Sequence, residues 1–490
     1  MAKNLMIQGT MSNVGKSVIT AGLCRILVDD GYTVAPFKSQ NMALNSYVTP
    51  EGGEIGRAQA MQAEAARTLP HTDMNPILLK PTGDRGSQIV LNGSVYGNMG
   101  AAEYFQRKKE FVPEIRAAYN RLAATHDYIV IEGAGSPVEL NLKQDDIVNM
   151  GLAEILDAPV LLVGDIDRGG VFAQLVGTLN LLTEAERMRV AGLIVNGFRG
   201  DRSLFEDGRR MLAEVTGKPV LGVVPYLDDL VLPDEDSLAA SLNRRGASAG
   251  VYDIAVLRLP RISNFTDFQP LLSDGAYAVR YLTDPDELER GGSAPDLVIL
   301  PGSKHTIADL AWLRKTGLAD AVCALAKSGT LVMGICGGFQ MLGQKVDDPE
   351  GSESGGSDDG LGLLPVSTTL TGKKCTETSD IDYEDLPKVW TAFSGSCVHG
   401  YEIHTGVTKH ADGDKVRYAA SGNVFGTYQH GFFDAASSRE LLADVLAFAT
   451  GKKAPEVSRT DYTDMKDASY DRLAAVLRSE LDMDAIYALL

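Results

Sequence analysis

The sequence is short of cysteine and of basic side chains, and each shortage excludes a class of protein. Its five cysteines form an odd set without a C-x-x-C pair, which indicates neither a disulfide framework nor a zinc site. Lys and Arg number 46 against 65 Asp and Glu, so the formal net charge is −19 at pH 7. Because phosphate binding depends on clustered Lys and Arg, nucleic acid and anionic membranes are not expected as partners.

The sequence also lacks the segments that direct a chain to or across a membrane. No apolar run approaches the length that a membrane span requires. The N-terminal stretch MAKNLMIQGT has the pattern of the first strand of a domain and no apolar region with a cleavage site. We therefore expect a cytoplasmic protein.

Length and composition predict more than one globular domain. A chain of 490 residues, 44% of them hydrophobic, is too long for one core and too apolar for disorder. Over residues 1–233, short apolar runs alternate with helical patterns at 56–69 and 101–123, which is typical of βαβ units around a doubly wound parallel sheet. The predicted strands are 5–8, 33–37, 128–132, 160–164, 192–196 and 220–224.

A second α/β domain is predicted after a break in the pattern. The stretch 234–250 is polar and rich in small residues, which predicts a linker, and new apolar runs at 253–257, 297–300 and 330–333 predict strands of a domain over 251–440. Within it, the acidic and Gly/Ser-rich segment 347–360 predicts a mobile surface loop. Apolar residues at helical spacing near the end predict a docked helical tail at 441–490.

The first predicted strand leads directly into a glycine-rich loop. Residues 9–17 read GTMSNVGKS and precede a helical pattern, an order that predicts a phosphate loop for ATP. Loop amides and Lys16 would meet phosphate oxygens, and the Ser17 hydroxyl would hold Mg²⁺. Five residues separate the two glycines, where four are usual. The candidate phosphate-binding residues are Gly9, Thr10, Asn13, Val14, Gly15, Lys16 and Ser17.

Further nucleotide-site candidates lie at the ends of neighbouring strands. Glu132 ends the strand at 128–132, where a carboxylate beside the phosphate loop can bind Mg²⁺ directly or through water. Lys38, at the end of the second strand, could reach the phosphate that is transferred. Asn196, at the end of the strand at 192–196, is a candidate contact for the nucleotide base.

A nucleophilic cysteine is predicted in the second domain. The apolar run at 330–333 leads into Gly334-Ile-Cys336-Gly-Gly338 and a helix, and a G-x-C-x-G turn between strand and helix lifts a side chain into a cleft. The amide of Gly337, together with that of Gly302 after the preceding strand, could bind an oxyanion. A cysteine nucleophile needs a base, and His430 and His404 are rival candidates that spacing alone does not separate.

In this order, the motifs resemble those of the cobyric acid synthase family of the cobalamin pathway over essentially the whole chain. The first domain is similar to the dethiobiotin synthetase type of phosphate-loop fold, in which five-residue spacing and EGAG (132–135) are usual. Stretches typical of the family include PFKSQNMALNS (36–46), DIDRGGVF (165–172) and GLIVNGFR (192–199). The second domain resembles class I glutamine amidotransferases of the cobalamin type, with a flavodoxin-like α/β fold.

The resemblance implies roles for the catalytic residues. Cys336 matches the family's nucleophile and His430 its base, and GYEIH (400–404) is a further family motif. Most class I members carry a Glu two residues after the histidine, whereas Phe432 stands there in this chain. The cobalamin branch resembles this sequence in that respect, which implies a Cys–His dyad. The sequence does not identify the residue that orients His430.

The implied reaction is ATP- and glutamine-dependent amidation of the b, d, e and g carboxylates of adenosylcobyrinic acid a,c-diamide. The implied cofactors are ATP and Mg²⁺, and the implied partners are the corrin polycarboxylate and glutamine. A polycarboxylate bound by an acidic protein requires a local basic pocket, for which Lys80, Arg85 and Arg168 are candidates, with His404 as a further substrate contact. Dethiobiotin synthetase-like folds often complete their sites across a dimer, which predicts a homodimer by analogy.

Three alternatives remain at this stage. A cobyrinate a,c-diamide synthase has the same architecture, but the stretch at 36–46 argues against it. An amidotransferase acting on a cell-wall lipid precursor also couples ATP to such a glutaminase, but here both domains lie on one chain. A partitioning-type ATPase with an inactive second domain is disfavoured by the intact elbow at Cys336 and by His430.

Overall fold

The computed structural model describes residues 2–83, 86–228, 230–233, 250–289, 292–353 and 355–490. All of the predicted linker except Gly250 lies outside these residues. The chain forms two compact units, and neither is a single continuous stretch of sequence. The first unit comprises residues 1–43, 53–235 and 466–490, and the second comprises residues 44–52 and 236–465.

The predicted alternation of strands and helices is present in the first 235 residues. The strands are β1 (Lys3–Gly9), β2 (Val34–Phe37), β3 (Gln40–Met42), β4 (Ser46–Val48), β5 (Glu54–Gly56), β6 (Ile77–Gly83), β7 (Gly86–Leu91), β8 (Ser94–Gly100), β9 (Tyr128–Glu132), β10 (Val160–Asp165), β11 (Val190–Phe198) and β12 (Val220–Pro225). The helices are α1 (Lys16–Asp29), α2 (Arg57–Ala65), α3 (Ala101–Arg107), α4 (Val112–Ala123), α5 (Met150–Ile155), α6 (Val171–Leu181), α7 (Glu184–Arg189) and α8 (Glu206–Thr216).

A six-stranded parallel sheet, in the order β12-β11-β10-β1-β9-β2, forms the centre of the first unit. Side chains of successive residues point to opposite faces of a strand, so each face builds its own core. Met6 and Ile131 belong to one apolar cluster, whereas Ile7 and Val130 belong to the other. Burial on both faces explains why these strands are nearly continuous apolar runs.

A smaller sheet, β3-β6-β7-β8, was not among the sequence predictions. Its strands alternate less clearly, and β8 is largely exposed. The helix predicted over 101–123 is also divided, because α3 ends at Arg107 and α4 begins at Val112 after a 3₁₀ turn. Pro113 lies in the first turn of α4, where its missing N–H and fixed φ suit a helix start rather than a helix interior.

The second unit is built on a six-stranded sheet in the order β15-β13-β16-β18-β24-β23, parallel except for the β23–β24 pair. Its strands are β13 (Tyr252–Leu257), β14 (Ile262–Ser263), β15 (Tyr277–Leu282), β16 (Leu297–Leu300), β17 (Gly302–Ser303), β18 (Leu331–Ile335), β19 (Lys345–Asp348), β20 (Gly356–Asp359), β21 (Val366–Tyr383), β22 (Ser396–His410), β23 (Tyr418–Ser421) and β24 (Val424–Thr427). The helices after residue 250 are α9 (Gln269–Leu272), α10 (Thr306–Thr316), α11 (Leu318–Ser328), α12 (Gly337–Leu342), α13 (Ala436–Thr450), α14 (Tyr462–Glu480) and α15 (Met483–Leu489).

The segment predicted as a mobile loop at 347–360 is partly strand instead. β19 and β20 pair antiparallel there and join β21 and β22 in a four-stranded sheet. Asp348 accepts hydrogen bonds from the backbone N–H groups of Ser352, Glu353 and Gly355, which fastens the connection. The polar composition of this segment favours a loop in a sequence-based prediction, because an exposed hairpin lacks the apolar face that identifies other strands.

The final segment does not form one separate tail. Helix α13 buries Leu442 and Leu446 in the core of the second unit, whereas Leu473 and Leu477 of α14 join the core of the first. Arg25 of α1 is fully buried and its Nε lies 2.8 Å from Asp471 Oδ1. Residues 466–490 therefore cover one face of the parallel sheet, together with α1.

Replacing Leu477 by Ala is expected to destabilise the first unit by about 2–5 kcal/mol, because the side chain is fully buried and would leave a cavity. Urea unfolding followed by circular dichroism would measure the loss. Leu204→Ala is the matched control, since Leu204 is 83% exposed and its truncation should change the unfolding free energy by no more than about 0.5 kcal/mol. Equal effects for the two variants would contradict this role for α14.

Candidate active sites

The glycine-rich loop of the first unit joins β1 to α1 and contains residues with positive φ angles. Asn13 and Gly15 have φ values of 61° and 91°, and a Cβ on Gly15 would overlap the Asn196 side chain. Lys16 lies across the loop, with Nζ donating to the carbonyls of Met11 at 3.0 Å and Gly135 at 3.3 Å. The Lys16 ammonium group therefore lies against the loop at the N-terminus of α1, where a helix end attracts anions.

Glu132 is the centre of a buried polar cluster beside this loop. Ser17 Oγ donates to Glu132 Oε1 at 2.9 Å, Lys38 Nζ lies 2.6 Å from the same oxygen, and Gln62 donates to the other oxygen. Burial alone would raise the pKa of Glu132, but the ammonium groups of Lys38 and Lys16 lower it below its usual value. The carboxylate is therefore ionised next to the phosphate loop.

Other predicted nucleotide-site residues lie around the same loop. The Asn196 side chain donates to the Val14 carbonyl at 2.9 Å, and Thr10 Oγ1 lies 3.1 Å from Gln174 Oε1. Both side chains hold the loop in place. The assignment of Asn196 to the nucleotide base stays a prediction.

The residues proposed for a basic pocket have different environments where the structure describes them. Lys80 is buried and forms an ion pair with buried Glu54, which argues against a contact between Lys80 and a large substrate. Arg168 is 56% exposed and lies 3.5 Å from Asp165, so it remains accessible. Arg85 lies outside the described residues.

The predicted nucleophile elbow of the second unit connects β18 to α12. Cys336 has φ 53° and ψ −108°, a strained combination for a residue with a Cβ, and only 5% of it is exposed. A Cβ on Gly338 would overlap the Leu300 carbonyl, so glycine is needed there for the turn to approach β16. Strained backbone of this kind is typical of a side chain held for chemistry.

His430 is held by a buried carboxylate that the sequence analysis did not identify. His430 Nδ1 lies 2.6 Å from Asp267 Oδ2, and the Asp267 side chain also accepts the Gly431 N–H at 3.2 Å. Nε2 is buried without a hydrogen-bond partner among the residues that the structure describes. Burial alone would lower the pKa of His430, but the Asp267 carboxylate and the Cys336 sulfur raise it to about 10. The ring is therefore an imidazolium that lies close to the Cys336 sulfur.

The ring of His430 is also fixed from one face. Tyr401 stacks on it with centroids 5.2 Å apart and planes 20° apart, and the Tyr401 hydroxyl accepts a hydrogen bond from Asn264 at 2.9 Å. Tyr47 and Val48, from the short segment 44–52, contact Tyr401 in turn. This segment of the second unit thus supports the histidine through one intervening side chain.

The two predicted oxyanion glycines lie close to these residues. A Cβ on Gly302 would be 3.4 Å from His430 Cε1, and a Cβ on Gly337 would be 2.8 Å from the Ser303 nitrogen. The strand pair β14–β17 holds Gly302 in place. Their roles as oxyanion donors remain predictions.

His404, the rival base, has a different environment. Its ring stacks on Tyr428 at 3.7 Å, and Nε2 lies 3.2 Å from Glu402 Oε2. The sulfur of Cys336 is 3.5 Å from the carbonyl of Ile403, the residue before it. The buried Asp267 carboxylate on Nδ1, an arrangement that orients a catalytic histidine, favours His430 as the base.

Two residues near Cys336 and His430, Gln340 and Asp267, were not predicted from the sequence, for different reasons. Gln340 is one helical turn after Cys336, and its side-chain amide contacts the Thr405 carbonyl at 3.0 Å and the Tyr428 hydroxyl at 3.1 Å. The i, i+4 spacing on α12 was a usable signal for this residue. Asp267 is 163 residues from His430, and no spacing in the sequence links them.

Comparison with known proteins matches the two parts of the chain to two domain families. The CobQ/CobB/MinD/ParA nucleotide-binding domain family matches residues 5–239, and the CobB/CobQ-like glutamine amidotransferase domain family matches residues 253–438. The cobyric acid synthase of Ruminiclostridium cellulolyticum is 48% identical, covering 99% of this chain and 97% of its own. The cobyric acid synthase of Lachnoclostridium phytofermentans is 47% identical, covering 100% of this chain and 99% of its own. That of Photorhabdus laumondii is 47% identical, covering 99% of this chain and 98% of its own.

The fold and the two families make this protein a glutamine amidotransferase with an attached nucleotide-binding domain. The predicted fold class, a phosphate-loop domain followed by a class I amidotransferase domain, is confirmed. With relatives of this identity over its full length, the chain belongs to the cobyric acid synthase family. Among the described residues, no helix is long and apolar enough to cross a membrane.

Proposed function

We propose that the protein uses ATP and glutamine to convert the b, d, e and g carboxylates of adenosylcobyrinic acid a,c-diamide into amides, giving adenosylcobyric acid. The observation that carries the proposal is a chain with two reaction centres, an ionised Glu132 at a phosphate loop and a Cys336 elbow beside a charged His430. Relatives named cobyric acid synthase match it over its whole length.

In the second unit, the Cys336 thiolate attacks the carboxamide carbon of glutamine. The amides of Gly337 and Gly302 bind the oxyanion that develops, and His430 Nε2 gives its proton to the leaving nitrogen. Ammonia leaves and a thioester remains. Water then attacks the thioester, His430 takes the proton from that water, and glutamate leaves as the thiolate returns. Asp267 keeps the His430 ring in one orientation throughout by accepting from Nδ1.

In the first unit, a carboxylate oxygen of the corrin attacks the γ-phosphorus of ATP, and ADP leaves. The product is an acyl phosphate, which ammonia attacks at carbon, so that inorganic phosphate and a proton leave and an amide remains. Lys16 and Lys38 offset negative charge on the transferred phosphoryl group, because this step depends mainly on positioning and electrostatics.

The residues around Glu132 fit a magnesium ion. Ser17 Oγ and Glu132 Oε1 are hard oxygen donors 2.9 Å apart, the carboxylate is ionised, and Mg²⁺ prefers one or two protein oxygens with phosphates and water. Ser17 and Glu132 would hold the ion. When bound, Mg²⁺ neutralises charge on the nucleotide phosphates.

Mass spectrometry of the corrin tests this function. Adenosylcobyrinic acid a,c-diamide incubated with the protein, ATP, Mg²⁺ and glutamine should show four successive replacements of O by NH. If cobyrinic acid, supplied in a parallel incubation, is amidated at the a and c positions while the diamide stays unchanged, the protein is a cobyrinate a,c-diamide synthase. If glutamine is hydrolysed but no corrin changes, the corrin assignment is wrong and the cell-wall lipid precursor becomes the better substrate class.

A further inference from the structure

The first unit contains a cavity of about 340 Å³, and among the residues that the structure describes none of the predicted phosphate-binding, magnesium-binding or substrate-binding residues lines it. Its walls come from the small sheet, from α3 and from the loop that follows β9, and they are mainly apolar: Met42, Leu79, Met99, Tyr104 and Leu142. Met42 and Leu142 are 55% and 52% exposed, so apolar surface is open to an entering molecule. This volume falls in the range of about 300–1,000 Å³ typical of small-molecule sites.

One loop separates this cavity from the phosphate site. The loop starts at Glu132, and its Gly135 carbonyl accepts a hydrogen bond from Lys16 Nζ on the phosphate side. Ala134 and Ser136, on either side of Gly135, line the cavity. Asn149 fastens the loop, because its side-chain amide donates to the Ala134 carbonyl at 2.6 Å and its Oδ1 accepts the Ala134 N–H at 3.1 Å. A ligand in the cavity is therefore one peptide away from residues that face the phosphates.

One lysine of the cavity wall has no counter-ion among the residues that the structure describes. Lys108 is 8% exposed. Its Nζ lies 4.1 Å from the centre of the Phe105 ring and 3.5 Å from the Leu142 carbonyl oxygen. No carboxylate of the described residues lies within ion-pair distance of it. The other lysine of the wall, Lys143, is paired with Glu186 at 2.6 Å. Asp146, also on the wall, accepts the backbone N–H groups of Val148, Asn149 and Gly151.

Such a lysine is costly unless something neutralises it. Burial lowers the pKa of Lys108, and the more distant charges of Asp146 and Asp145 offset this only in part. A buried cation is normally paired or hydrogen-bonded to an anion. The lining also includes the exposed carboxylate of Glu139. A mainly apolar cavity with a buried ammonium group that is not in an ion pair among the described residues has the chemistry of a site for an aliphatic carboxylate.

We propose that this cavity binds one carboxylate-bearing arm of the corrin substrate, with the aliphatic part of the arm against the apolar wall and the carboxylate on Lys108. The inference rests on the proposed function and assigns the substrate to a definite place within it. It differs from the basic pocket predicted from Lys80, Arg85 and Arg168, of which Lys80 is paired with Glu54. Lys108 acts here as a binding residue, and the phosphoryl-transfer residues lie on the other side of the loop at 133–136.

Steady-state kinetics of Lys108→Met test this assignment. At saturating ATP and glutamine, the KM for adenosylcobyrinic acid a,c-diamide should rise by about 10- to 100-fold, because a buried charge-assisted contact is lost. The KM for ATP and the rate of glutamine hydrolysis without corrin should stay unchanged. Lys108→Arg should retain part of the affinity, since it keeps the positive charge. Thermal unfolding of Lys108→Met should occur at no lower a temperature than that of the wild type, because no ion pair is broken.

Lys109→Met is the matched control. It removes the neighbouring positive charge, which is exposed, paired with Asp145 and outside the cavity wall, and the corrin KM should change by less than about threefold. An unchanged corrin KM in Lys108→Met, with an active wild type, would overturn this inference and leave the proposed function standing. A wild type that leaves the corrin untouched would overturn the proposed function itself, and this inference with it.

Discussion

Cys336→Ala is expected to abolish glutamine-dependent amidation while ammonia still supports it. Loss of the nucleophile removes thioester formation, and removal of a covalent nucleophile typically lowers kcat by about 10⁴- to 10⁶-fold. The ATP-dependent half of the reaction uses residues of the first unit, so an ammonium salt at alkaline pH should restore product to within a few-fold of the wild type. Coupled assays of glutamate release and of corrin mass measure the two halves separately.

Cys323→Ala provides the control for that experiment. Cys323 is another thiol of the second unit, half-buried, with its sulfur 3.7 Å from the Leu361 carbonyl, and no predicted step uses it. Both the glutamine- and the ammonia-dependent rates should equal those of the wild type. Retention of glutamine hydrolysis by Cys336→Ala would show that a different group attacks the amide.

Asp267→Asn is expected to lower glutamine hydrolysis by about 10²- to 10⁴-fold, by analogy with the loss of the carboxylate that orients a catalytic histidine. Asparagine fills the same space but cannot stabilise the imidazolium. The raised pKa of His430, about 10, depends on the Asp267 carboxylate. In the variant that pKa should fall, so the alkaline limb of the kcat/KM profile for glutamine should move to lower pH.

The same pair makes a prediction for stability. The pKa of His430 in the folded protein lies above its ordinary value near 6.5, so the folded state holds the proton more tightly than the unfolded chain. The stabilisation is fully present below about pH 6.5 and is lost as the pH rises through about 10. Urea unfolding across this range should show the loss in the wild type and a weaker dependence in Asp267→Asn.

The Asp274→Asn variant distinguishes an effect on catalysis from an effect on folding stability. Asp274 is as buried as Asp267 and lies 3.4 Å from Arg439, so its replacement also removes a carboxylate from a buried pair of the second unit. This variant should lose stability and keep the position of the alkaline limb. If both variants shift the limb equally, Asp267 has no special relation to His430.

The parts of the molecule that were predicted from sequence are those whose residues are close together in the chain. The phosphate loop and the cysteine elbow each join a strand to a helix within a few residues. Both contain glycines at positions where a Cβ would overlap neighbouring atoms, such as Gly15 and Gly338, and these glycines make the motifs recognisable. The parallel strands were visible because burial on both faces requires continuous apolar runs.

The features that were missed depend on contacts between distant residues. Asp267 meets His430 across 163 residues, and Lys108 lies in a helical stretch that looks like an ordinary charged surface. Lys80 was proposed as a contact for a polycarboxylate substrate, whereas the structure pairs its ammonium group with buried Glu54. Charge alone therefore does not distinguish a ligand contact from an internal ion pair.

The path of the chain limits how its gene could be divided. The polypeptide passes from one unit to the other at 43/44, 52/53, 235/236 and 465/466. A single break near residue 235 would remove residues 466–490, which pack on α1, from the fragment that contains the phosphate loop. The same break would remove residues 44–52, which contact Tyr401, from the other fragment. Gene fission at that point would thus yield two incomplete proteins, and a two-polypeptide version of this enzyme would first have to relocate both short segments within its reading frames.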